Sequence, residues 1–230
     1  MKELIISVQY GSLGDHILHS ALPRVAKITH GYDKVYISNN SQYINPKYKD
    51  FVWLRNPHID GFTNLTHEFP SFGSVPDGKN ILDFLMDFYG LPDDGVRFRE
   101  PEIYYEPKIM PELADAVIYE PNHGNQYGIP SMAQVDEYFR ANNITVTHQM
   151  ESLVGTRNQD TGRALPYVPK LSTTSLEHFC DIIYSCKAFY CFTTGAATLA
   201  AALHKPITVL YVDGILPMFH HSKLHNFVRL

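Results

Sequence analysis

Leu4-Ile5-Ile6-Ser7-Val8-Gln9-Tyr10-Gly11-Ser12-Leu13-Gly14-Asp15 runs from a short apolar, β-branched segment into a turn holding two glycines. Such a run, bounded by turn residues, reads as a buried strand entering a glycine loop. From Asp15 onward Ile17, Leu18, Ala21, Leu22, Val25 and Ile28 recur at three- and four-residue spacing, the mark of an amphipathic helix that Pro23 is expected to kink. Val35-Tyr36-Ile37 follows Gly31 as a second strand, so the opening is a βαβ unit on a parallel sheet. A further helix is expected over residues 81–89.

The chain has 230 residues, enough for one or two domains. Residues 91–115 carry four prolines without sustained periodicity and place the boundary near their end, giving lobes 1–113 and 114–230. In the second lobe Val117-Ile118-Tyr119 reads as a strand, Ser131-x-x-Gln134 and Thr174-x-x-Glu177 as capping boxes, and Ile144-Thr145-Val146-Thr147 as another strand. Strand 188–192, turn Thr193-Thr194-Gly195, helix 196–203 and strand 207–212 form a second βαβ unit. Both glycine turns precede a helix N-terminus, whose unpaired N–H groups and partial positive charge suit a phosphate. Neither matches G-x-G-x-x-G or G-x-x-x-x-G-K-[ST], which excludes the dinucleotide and P-loop fingerprints.

Four segments, taken in order, resemble the ADP-heptose:lipopolysaccharide heptosyltransferase family. Gly14-Asp15-His16-Ile17-Leu18-His19-Ser20-Ala21-Leu22-Pro23 is similar to its G-D-x-[IVL]-[LH] start, and Asn56-Pro57-His58-Ile59-Asp60 to its N-P-x-[IV]-D segment. Ser175-Leu176-Glu177 resembles its S-L-x-E helix start. Residues 194–206, from Thr194-Gly195-Ala196-Ala197-Thr198 to Lys205-Pro206, are similar to its D-[ST]-G-x-x-H-L-A-A-A-x-x-[KRV]-P donor motif. The resemblance implies an α/β fold of GT-B type, two Rossmann-like lobes with parallel sheets facing a cleft, acceptor on the first lobe and nucleotide-sugar on the second. It implies inversion with Asp15 as the base, and an acceptor-side loop at Gly11, Ser12 and Gly14. The donor is expected at Asn122, His123, Gly124, Asn125, Thr193, Thr194, Gly195 and Thr198. The partners are then a nucleotide-sugar and a glycan or other hydroxyl acceptor. No D-x-D occurs, which favours a reaction needing neither metal nor cofactor, with helix dipoles carrying the diphosphate.

Three other readings stay open. Thr193 and Thr198 stand where the family has Asp and His, so a non-catalytic nucleotide-sugar or glycan binder fits. Tyr43, Tyr48, Phe51 and Trp53 offer stacking surfaces for a transferase acting on a modified nucleobase. His220, His221 and His225 suggest a metal hydrolase, although H-H-x-x-x-H lacks the carboxylate of H-E-x-x-H. A net charge of -5 disfavours nucleic acid as a partner. Cys180, Cys186 and Cys191 show no C-x-x-C spacing and are expected to be reduced core residues. With neither a 20-residue apolar span nor a signal-like start, a cytoplasmic location is expected, peripheral membrane contact aside. The end at Leu230 is expected to omit a closing helix that crosses back to the first lobe.

Overall fold

The structure, a computed structural model, describes residues 1–70, 79–91, 100–122, 128–151, 163–214 and 217–230. The chain divides into two units, Met1–Tyr105 with Pro217–Ser222, and Glu106–Leu216 with Lys223–Leu230. The division therefore falls at 105/106 rather than 113/114. Residues between those points bond to the second unit: Lys108 N–H donates to Asp181 Oδ1 and Met110 N–H to Ser185 Oγ, each at 2.8 Å. The short segment Pro217–Ser222 belongs to the first unit. Among the described residues no helix is long and apolar enough to cross a membrane.

In the first unit β1 (Glu3–Ile6), α1 (Leu13–Leu18), α2 (Leu22–Ile28), β2 (Lys34–Ser38), a π-helical turn at Lys49–Leu54, β3 (Gly61–Thr63) and α3 (Ile81–Phe88) follow in order. The three strands are parallel in the order β1-β2-β3. Ser12 caps α1 in a reciprocal box with Asp15. Pro23 does not kink one long helix. It sits in the first turn of α2, where a residue without an N–H costs nothing, and the chain breaks between α1 and α2 instead. The Asn56-to-Asp60 segment is a bracket. Asn56 Nδ2 donates to the Ser20 carbonyl at 3.0 Å, while Asp60 accepts from Val35 N–H, Lys27 Nζ and Lys34 Nζ at 2.7–2.9 Å.

Around the glycine loop the packing is fixed by a chain of donors. Trp53 Nε1–H donates to His16 Nδ1 at 3.0 Å, so the His16 proton must lie on Nε2, which donates to the Gln42 carbonyl at 2.9 Å. That carbonyl rests on Gly11, whose φ is +70°. A Cβ there would lie 2.7 Å from both the carbonyl carbon and oxygen of Gln42. Tyr48, Phe51 and Trp53 are core residues, which removes three of the four aromatics from any stacking surface. Tyr43, half-buried, stacks on His16 with ring centroids 4.4 Å apart.

The second unit contains β4 (Val117–Tyr119), α4 (Met132–Ala141), β5 (His148–Met150), β6 (Lys170–Leu171), α5 (Leu176–Ser185), β7 (Ala188–Cys191), α6 (Gly195–Ala202), β8 (Thr208–Tyr211) and β9 (Asn226–Arg229). All six strands are parallel, in the order β6-β5-β4-β7-β8-β9. The chain builds outward from β4 to one edge, then crosses to β7 on its other side, so β4 and β7 flank the point where the winding reverses. Alternation sorts the side chains. Tyr119, Phe192 and Leu210 join Val135 and Phe139 of α4 in one core, while Phe189 faces Phe179 of α5 on the other side. The strand expected at 144–147 starts later, at His148, because the chain leaves α4 through Asn143 in a left-handed turn, φ 54°. Helix α5 is capped by Ser175, which accepts from His178 N–H, and not by Thr174 one residue earlier. Cys180, Cys186 and Cys191 are buried, with no disulfide among them.

Two outcomes follow from the first unit. Gly11→Ala combines a left-handed φ with a backbone clash, and is expected to lower unfolding stability by about 1–3 kcal/mol, read from denaturant melts. Burial pushes the His16 ring down to about 3 and the His19 ring down to about 4, so both are neutral in the fold. The unfolded chain protonates both below its ordinary value of about 6.5, so their contribution is present above that pH and is lost as pH falls toward 4. Stability should fall on acidification through this window, and His19→Gln should remove about one proton from the uptake on unfolding. A pH-independent midpoint in wild type would contradict this.

Candidate functional site

In the first unit Gly11, Ser12, Gly14 and Asp15 come together at the carboxyl end of β1. Asp15 occupies the third position of α1, where the partial positive charge of the first turn favours a carboxylate. Ser12 N–H donates to Asp15 Oδ2 at 2.9 Å. Burial nevertheless wins over these bonds and raises the Asp15 carboxyl above its usual range, the direction that makes it a better proton acceptor. His19 is tied to the same residue by its Nδ1–H, 2.7 Å from the Asp15 main-chain carbonyl. Among the described residues, its buried Nε2 and the buried Tyr43 hydroxyl have no hydrogen-bond partner. The strand end beside them is held by Tyr89, which bonds Ser7 through both N–H and carbonyl at 3.1 and 2.9 Å.

In the second unit the winding reversal between β4 and β7 gathers the other candidates. Glu120 and Asn122 follow β4; Thr193, Thr194 and Gly195 follow β7. Ligands of open parallel sheets bind at such a reversal, beyond the carboxyl ends of the strands. Thr194 caps α6, its hydroxyl accepting from Ala196 N–H at 3.3 Å, and Gly195 begins the helix without a positive φ. Thr193 carries a buried hydroxyl that, among the described residues, has no partner. Thr198 is different: it is buried, and its hydroxyl donates to the Thr194 carbonyl at 3.4 Å, within the helix. Asn122 is buried and its N–H donates to Glu120 Oε1 at 3.0 Å. His123, Gly124 and Asn125 lie outside the described residues.

Glu120 was not singled out from sequence. A charged residue closing the apolar run Val117-Ile118-Tyr119 was a visible signal, but its burial depends on strand order, which the sequence does not display. In the register β4 to β7 the pair after Tyr119 and Tyr190 is Glu120 and Cys191. Burial pushes the Glu120 carboxyl up to about 8 against the bonds from Asn122. The histidines of the hydrolase reading are divided between the units, His220 and His221 in one and His225 in the other. His221 Nδ1 donates to the Phe219 carbonyl at 3.0 Å, and His225 Nε2 to the Ala197 carbonyl at 2.8 Å. Among the described residues no group of three or more His, Cys, Asp or Glu is arranged to hold a metal.

No protein-family model matches the sequence, and no curated protein matches it by sequence. Solved structures do. The ADP-heptose lipopolysaccharide heptosyltransferase II of E. coli superposes with a TM-score of 0.59 at 14% identity, over 100% of this chain and 91% of that one. A glycosyl transferase of family 9 from Veillonella parvula gives 0.59 at 12% identity, over 99% and 87%. TibC, described as a dodecameric iron-containing heptosyltransferase in complex with ADP-D-beta-D-heptose, gives 0.63 at 14%, over 99% of this chain and 63% of its own. Across its whole length the chain therefore has the GT-B-like α/β fold of these heptosyltransferases.

Proposed function

We propose that the protein is a glycosyltransferase that takes a nucleotide-sugar donor and transfers its sugar, with inversion, to an acceptor hydroxyl. The observation that carries this reading is the meeting of Asn122, Thr193 and the α6 N-terminus at the winding reversal of a sheet whose fold is that of heptosyltransferases. A diphosphate at this point is matched by main-chain N–H groups and by the Thr193 hydroxyl. Asp15 is the base. The acceptor oxygen attacks the anomeric carbon as its proton passes to the Asp15 carboxylate; the bond to the diphosphate breaks, and its electron pair leaves on the nucleotide. Stabilisation of that leaving charge by the helix end is the electrostatic part of the catalysis. A binder without turnover is the second reading, favoured by Thr198, whose hydroxyl is engaged within α6 where the family has histidine.

A panel of nucleotide-sugars screened by thermal shift identifies the donor, since a ligand at about 100 times its Kd adds roughly 2.7 kcal/mol. With that donor, Asp15→Asn should keep binding and lose transfer by about 10²–10⁴-fold, because the amide preserves shape and cannot take a proton. Turnover within about tenfold of wild type would remove Asp15 from this role. Donor binding with no transfer or donor hydrolysis in wild type would select the binder.

We further propose that the reaction is metal-independent, on the absence of D-x-D and the presence of a helix N-terminus at the donor site. Activity should survive excess EDTA. Loss restored by a divalent cation, iron included, would overturn this.

A further inference from the structure

Glu120 ends the central strand β4 and is buried between its neighbours. Continuing the β4–β5 and β4–β7 registers by one residue sets it opposite Cys191 on β7 and Met150 on β5. Its side chain lies on the face of the sheet opposite to Tyr119, away from the α4 core. One carboxyl oxygen accepts the Asn122 N–H at 3.0 Å, which sets the direction in which the chain leaves the strand. The mechanism proposed above gives this buried acid no part. It nevertheless sits at the winding reversal, on the strand next to the one that feeds Thr193 and Thr194 to the same edge.

We propose that Glu120 is a positioning residue for the donor's diphosphate: it acts through Asn122, and its proton keeps the end of β4 uncharged where the anion must arrive. This rests on the nucleotide-sugar reading. A carboxylate here would oppose a diphosphate at short range in a buried setting, where water screens little. A carboxylic acid of the same shape does not. Burial, which holds the group up to about 8, therefore keeps the strand end neutral at physiological pH. Helix α5, which packs on this face through Phe179 against Phe189, carries Glu177, His178 and Asp181; His178 bonds to Thr174 and Asp181 accepts from Lys108 N–H. Cys191 on β7 is held as a neutral thiol by its own burial, and Tyr119 on the same strand is likewise kept as the phenol. Met150 on β5 does not ionise, and α6, Gly-Ala-Ala-Thr-Leu-Ala-Ala-Ala, has no ionisable side chain.

The test is titration calorimetry of the full chain with ADP and with UDP, from about pH 7 to about pH 9.5, in wild type and Glu120→Gln. Wild-type affinity should fall above about pH 8, approaching tenfold per pH unit, as one proton must be regained for binding. Glu120→Gln keeps an acceptor for Asn122 N–H and has no proton to lose, so its profile should be flat. Ionisation of the nucleotide itself, the last diphosphate proton at the start of the range and the uracil N3–H of UDP at its end, is common to both proteins and is read off from the variant. A parallel decline in both, or a flat wild-type profile, overturns the inference while the donor reading stands. A melting curve guards the variant; if it fails to fold, the wild-type profile alone decides, since absence of the one-proton loss is sufficient to reject. Failure of either nucleotide to bind wild type at any pH sinks the donor reading, and this inference with it.

Discussion

The Trp53 indole N–H fixes the first unit. By donating to His16 Nδ1 it settles which ring nitrogen carries the proton, and that proton goes to the Gln42 carbonyl. The carbonyl is pressed so closely on Gly11 that no side chain fits there. Gly11 in turn delivers the chain to Ser12, whose N–H and hydroxyl set the start of α1 and the carboxylate of Asp15. A buried aromatic thirty-eight residues away thus orients the residue we assign as base, through groups that are all neutral. Without the indole the imidazole would lose its fixed tautomer, and the carbonyl its donor.

The second unit solves its problem by topology. No single hydrogen bond assembles Asn122, Thr193 and Thr194; parallel pairing of β4 with β7 does, since it brings two strand ends to one edge. Helix α6 then lies against the sheet with every residue after Gly195 buried, which its alanines allow. Small side chains let helix and strands approach closely, so the N–H groups of its first turn are presented at the strand ends. The polar candidates gather at the edge, while the layers behind it are filled mainly by apolar side chains, with Gln149 and Thr198 bonded to main-chain carbonyls among them.

Much of this was legible in the sequence. Strands β1, β2, β4, β7 and β8 announce themselves as apolar β-branched or aromatic runs, and Ser131 with Gln134 forms the capping box its spacing implies. What was not legible has identifiable causes. Pro23 was read as a kink because a helical stripe continued past it, yet hydrophobic spacing is the same whether one helix bends or two meet. Strands β6 and β9 have too few residues or too mixed a pattern to show. Thr198 matches a donor-motif position, while the bond of its hydroxyl to a carbonyl four residues back follows only from the helix around it. Glu120 and His16 owe their character to burial by residues distant in sequence, and no local pattern carries that.

The discontinuity of the first unit has a consequence for how the protein is made. Residues Pro217–Ser222 belong to it, although everything from Glu106 to Leu216 belongs to the other. A chain leaving the ribosome commonly folds its N-terminal domain first, as a finished unit. Here the first unit lacks one of its pieces until Pro217–Ser222 has been made, after the stretch Glu106–Leu216 of the second unit. Completion of the first unit is therefore tied to synthesis of the second, and a nascent chain that stops before residue 217 leaves the first without that piece.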